Sequence, residues 1–230
     1  RGGFDPMTAE LGGLWDALLG EGRRWWITAN SDSHRHYTEF GVDFWPGEYS
    51  KTWIHAAPTA GQVLESLRGG RVFVSTGDLV TGLSMVLSVD GEAQEVWPGD
   101  ALTLAAGTRA ALTISITDPA APNAAGLEPR LARLDVIVGD VSGPATSRDA
   151  DNNSSTQVAA RFMREDMAED GEVLSVRWDA AVTKDMYVRL RGTNTDELEP
   201  TPDPGGENPW SDLWFYSNPI FITADSGGSE

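Results

Sequence analysis

Cysteine is absent from this 230-residue chain. Its absence excludes disulfides, thiolate metal sites and cysteine nucleophiles together, so any metal would be held by oxygen and nitrogen donors alone. Basic residues are few. Lys and Arg number 17 against 35 Asp and Glu, and a charge of −18 argues against partners that need clustered cations, namely nucleic acid and anionic membrane surfaces. Histidine occurs only at His34, His36 and His55. No apolar run approaches the ~20 residues that cross a bilayer as a helix, and no charged start, apolar core and cleavage site are visible. A soluble protein is expected. Composition leaves its compartment open, and if it is exported the signal would lie in a part preceding Arg1.

What is present is a chain long enough for one large domain or two smaller ones, 40% hydrophobic and 23% charged. Leu11, Leu14, Trp15, Leu18 and Leu19 recur at helical spacing between Asp5-Pro6 and the glycines Gly20 and Gly22, which predicts an amphipathic helix. The run Arg24 to Ala29 has strand character. It ends in a polar cluster where Asp32 and His34 lie two residues apart, a spacing that lets a carboxylate and an imidazole converge beyond the end of an extended segment. Such a donor pair suits zinc, manganese or iron. The same triplet also fits a polar turn with solvated side chains.

From Arg35 to Pro58 no period is evident, and aromatic, Gly and Pro residues suggest a long ordered loop. His36, Glu48, Tyr49, Lys51, Trp53 and His55 are the residues of this stretch that could line a pocket, Lys51 as a cation for an anionic substrate group. Ordinary loop packing is the competing reading for each. Thr59 to Gln62 fits a capping box, and Gly69-Gly70 ends the short helix that follows. Arg71 to Ser75 then reads as a strand closed by the turn Thr76-Gly77-Asp78.

Asn30-Ser31-Asp32-Ser33-His34 and the later run Leu64 to Asp78 resemble the closing segment of the polymerase and histidinol phosphatase (PHP) family of metallohydrolases, more narrowly its carbaryl-hydrolase-like branch. The resemblance implies an α/β plus all-β fold: residues 1–78 as the C-terminal remnant of a PHP-type β/α barrel, residues 79–230 as a β-sandwich accessory domain. It implies that Asp32 and His34 are metal ligands in a hydrolase of phosphate, carbamate or other small-molecule esters that uses metal-activated water. His36 would serve as a proton shuttle or outer-shell residue. The family's His-x-His motif has no counterpart before Asp32. The centre, with its divalent zinc, manganese or iron, is therefore expected to be completed only by a missing N-terminal barrel portion, and the chain alone is expected to be inactive. The alternative is a noncatalytic sandwich that binds or scaffolds, attached to a degenerate barrel fragment.

Beyond Leu79 the pattern is β. Leu83 to Val89, Leu112 to Thr117, Leu131 to Val138, Gln157 to Phe162, Val173 to Trp178, Tyr187 to Leu190 and Phe215 to Thr223 are short apolar or alternating runs separated by turn residues. Asn218-Pro219 inside the last run requires a bulge or an edge. Asp149 to Asn153 lacks the glycine and final glutamate of a calcium loop and fits an exposed turn. Thr193 to Asp212 reads as a long crossing loop that Trp210 and Trp214 could anchor, or where they could form a carbohydrate platform.

Overall fold

The computed structural model describes residues 6–31, 33, 44–147, 149, 151–201 and 208–227. Two short helices, α1 (Pro6–Ala9) and α2 (Leu14–Gly20), come first. Next among the described residues come β1 (Ser50–Ile54), α3 (Ala60–Gly69) and β2 (Val72–Thr76), and then a long β region. Its first half is β3 (Gly82–Val89), β4 (Glu92–Val96), β5 (Ala101–Ala105), β6 (Thr108–Thr117) and β7 (Arg133–Asp140). The second half is β8 (Gln157–Met163), β9 (Ala168–Asp170), β10 (Val173–Val182), β11 (Met186–Thr193), β12 (Trp214–Ser217) and β13 (Ile220–Asp225).

These strands form two sheets. The larger, of eight strands, runs β1-β2-β12-β11-β13-β5, with β7 on the other side of β11 and β8 beyond it; the smaller runs β4-β3-β6-β10-β9. All pairings are antiparallel except β13 with β5. Alternation explains the layering. Leu83, Met85 and Leu87 of β3 and Leu112, Ile114 and Ile116 of β6 turn inward against Leu134, Val136, Val188, Leu190, Phe215 and Ile220 of the larger sheet, giving one core between the two layers.

The expected barrel remnant is not what the chain forms. A β/α barrel needs parallel strands joined by crossover helices. Here β1 and β2 are antiparallel, with Ser50 opposite Thr76 and Ile54 opposite Val72, and β2 continues into the sandwich sheet by pairing with β12. The run Val72–Thr76 imitates a barrel strand because it is buried on both faces. Phe73 enters the core between the sheets, while Val74 lies on the opposite face with Trp214 and Tyr216. Part of the expected long loop is likewise a strand, β1 at the sheet's edge. The helix predicted before Gly69-Gly70 is present as α3. The Thr59 hydroxyl accepts from the Gln62 N–H at 3.4 Å, and Gly70 adopts the left-handed conformation at φ 77°.

Candidate functional site

The residues leading to the Asp-x-His motif are held on the outer face of the larger sheet. Trp25 to Asn30 joins neither sheet, although Trp25, Ile27 and Ala29 direct their bonded backbone groups in the alternation of an extended chain, which its aromatic and β-branched residues favour. Side chains from the sandwich fasten it instead. Trp15 Nε1 donates to the Trp25 carbonyl at 2.9 Å, and the Ile27 N–H donates to Asn218 Oδ1 at 2.8 Å. Thr52 Oγ1 accepts from the Ala29 N–H at 2.8 Å and donates to the Ala29 carbonyl at 2.9 Å; Ser50 Oγ donates to the Asn30 carbonyl at 2.7 Å. Ile27 and Ala29 pack on Val74, Trp214 and Tyr216. Asn218 reaches the segment because the break at Asn218-Pro219 separates β12 from β13, which is the interruption the proline requires.

Beyond Ala29 the chain borders an open cleft of about 510 Å³, lined among others by Asn30, Ser31, Pro46, Lys51 and Trp53. Lys51 therefore lies at the cleft. Its ammonium is 2.5 Å from Asp78 Oδ1 and 5.9 Å from the centre of the Trp53 ring. Asp78 reaches it from the turn after β2 in a left-handed conformation, φ 58°. Asp32, His34 and His36 lie outside the described residues. Among the described residues no group of three or more His, Asp or Glu is arranged to hold a metal ion.

The other residues singled out in the loop separate. Tyr49 is buried, donates to the Pro209 carbonyl at 2.7 Å, and packs with Phe44 and Trp210, so Trp210 does anchor the crossing loop. Glu48 accepts from the Trp45 N–H at 2.9 Å within its own turn. His55 lies flat on Trp97, with ring centres 3.4 Å apart, beside a second cleft. Asn153 is part of the framework rather than of an exposed turn: it donates to the Asp16 and Asp140 carbonyls at 3.3 and 3.2 Å.

Sequence reasoning missed the charged assembly on the outer face of the larger sheet. β11 is buried on both faces, Val188 and Leu190 toward the core and Tyr187, Arg189 and Arg191 away from it. Asp16 of α2 meets Arg189 at 2.7 and 2.9 Å and accepts from the Tyr187 hydroxyl at 2.9 Å. Arg191 pairs with Asp135 at 2.9 Å and with Glu199 at 2.5 Å, while Arg161 and Arg133 also approach Asp135, at 2.8 and 3.2 Å. Burial pushes the Tyr187 hydroxyl far above the usual tyrosine range, and the Asp16 carboxylate adds to it. Burial works against the Arg189 cation, but Asp16 outweighs it and raises its pKa. The alternation Tyr-Val-Arg-Leu-Arg was legible; that the arginine face would be covered was not, because α2 and the Glu197–Glu199 loop close over it from distant parts of the chain.

Comparisons with protein-family models, with curated proteins and with solved structures found no match. Among the described residues no helix is long and apolar enough to cross a membrane.

Proposed function

We propose that this chain supplies part of the centre of a metal-dependent hydrolase of phosphate, carbamate or related small esters, with Asp32 and His34 as two ligands of a divalent zinc, manganese or iron ion. The reading rests on the Asp-x-His motif and on one observation: the residues before it are fastened by Trp15 of α2 and by Ser50, Thr52 and Asn218 of the sandwich, and they border a cleft carrying Lys51. A carboxylate and an imidazole fit such an ion, and cysteine, its commonest soft donor, is absent. The ion would supply an activated water and Lewis acidity. This chain's own contribution is to bring its two ligands to the cleft and to place a cation there for an anionic substrate group. Further ligands would come from residues outside this chain, and His36, the histidine nearest in sequence to the two ligands, would be the candidate for proton transfer.

The test is paramagnetic. Mn²⁺ added to the isotopically labelled chain is expected to broaden the Ser31 and Ser33 amide signals selectively, and Asp32→Ala or His34→Ala is expected to abolish the effect. Broadening confined to acidic loops, or unchanged by both substitutions, would overturn the proposal. A noncatalytic binding module is the second reading. It is favoured by the Lys51–Asp78 pair, which already occupies the one lysine that lines the cleft among the described residues.

A further inference from the structure

Among the described residues the fastened segment is paired along one side only. In an extended chain, successive residues direct their N–H and C=O groups to opposite flanks. Ile27 and Ala29 use both groups toward Asn218 and Thr52, and the Trp25 carbonyl points to Trp15. Trp26 and Thr28 direct theirs the other way, and their backbone groups have no hydrogen-bond partner among the described residues. Thr28 is exposed. The result is a short strand-like edge, backed by a buried sheet, whose donors and acceptors at Trp26 and Thr28 are unused among the described residues.

We propose that this flank binds an extended peptide by antiparallel strand addition, with the peptide's backbone pairing to Trp26 and Thr28. The occupant is constrained by what borders the edge. Trp25 leaves 55% of its surface exposed at one end. Arg24 lies with its guanidinium 3.9 Å from the Phe221 ring centre and no carboxylate pairs with it among the described residues, whereas Arg23 is neutralised by Glu21. One carboxylate on the peptide, facing Arg24, would find a partner. More would be opposed by the chain's charge of −18. The partner is therefore an extended, otherwise uncharged segment that carries a single acid to face Arg24. This inference is independent of the metal reading.

The test uses the whole chain without metal and a capped seven-residue peptide that alternates threonine and valine and ends in glutamate. At saturating peptide, hydrogen exchange at the Trp26 and Thr28 amides is expected to slow by about tenfold or more, while the Ile27 and Ala29 amides, already bonded, change little. A peptide N-methylated on the residues facing the edge is expected to bind at least about tenfold more weakly. Thr28→Pro, which removes an N–H with no acceptor among the described residues, is expected to lose binding to the same extent while unfolding near the wild-type temperature. Unchanged exchange at Thr28, or equal affinity for the N-methylated peptide, would overturn the proposal. So would protection of Thr28 that grows with protein concentration alone, since the edge would then serve a second copy.

Discussion

Arg189 and Asp16 form a two-pronged ion pair, Nη2 to Oδ2 at 2.7 Å and Nε to Oδ1 at 2.9 Å, with both side chains almost wholly removed from solvent. The pair joins α2 to the centre of the larger sheet. Taking both ions out of water costs nearly what their attraction returns, but removing one partner strands the other. Asp16→Ala is therefore expected to lower unfolding free energy by about 3–5 kcal/mol. Replacing both residues together, Asp16→Leu with Arg189→Met, is expected to recover most of that loss. Urea midpoints of the three proteins check it; equal losses in single and double variants would contradict it.

Alkaline pH should weaken the fold through two tyrosines. Burial holds the Tyr187 and Tyr216 hydroxyls well above their usual range, with Asp16 adding to the effect at Tyr187 and the Arg191 and Arg189 cations partly opposing it at Tyr216. Each folded-state pKa lies above the unfolded value near 10, so each contribution is complete below about pH 10 and is lost as pH rises beyond it. Stability should fall by about 1.4 kcal/mol per pH unit per tyrosine in that window. Tyr187→Phe should remove one such increment from the slope. Denaturant melts between pH 8 and 11.5 measure both slopes.

The helix before Gly70, the strand runs and the break at Asn218-Pro219 were readable because each depends on local chemistry: a threonine cap, period-2 alternation, a missing N–H. The direction of β1 relative to β2 was not, since antiparallel and parallel partners share one hydrophobic pattern when a strand is buried on both faces. Nor was the partnership of Asp16 with Arg189, which spans 173 positions. At the cleft, the pairing of Lys51 with Asp78 was not legible, because it depends on a turn whose φ angle no periodicity reports.

That turn separates a backbone effect from an ionic one. Asp78 adopts φ 58°, a region costing most L-residues about 1–2 kcal/mol and tolerated best by glycine, asparagine and aspartate. Its pair with Lys51 is partly exposed and contributes no more than about 1 kcal/mol. Asp78→Asn should therefore cost less than Asp78→Ala, by about 1 kcal/mol, and Asp78→Gly should lie between them. Thermal melts in low and high salt resolve the two: added salt should narrow the gap between wild type and Asp78→Asn and leave the gap between Asn and Ala unchanged.

Asn218 decides whether the segment carrying the motif stays in place. Its Oδ1 accepts from the Ile27 N–H at 2.8 Å, and its Nδ2 donates to the Gly70 carbonyl at 3.3 Å; the side chain is fully buried, and the proline after it favours the extended backbone that aims it. Asn218→Ala leaves the partly buried Ile27 N–H without its acceptor, while the Gly70 carbonyl keeps the Val72 N–H, so the loss is about 1–3 kcal/mol. Asn218→Asp keeps the acceptor for Ile27 but sets a carboxylate against the Gly70 carbonyl, so it should be no milder. The loss should be local first. Exchange at the Ile27 and Ala29 amides should quicken by far more than exchange in β11, because the sheet beneath is held by its own ladders. Thr52→Val, which removes the hydroxyl serving both backbone groups of Ala29, should loosen the same two amides while leaving Asn218 in place. If the segment presents Asp32 and His34 to a metal, both variants should also weaken the Mn²⁺ broadening at Ser31 and Ser33. Rapid exchange at Ile27 with undiminished broadening would show that the motif needs no such support.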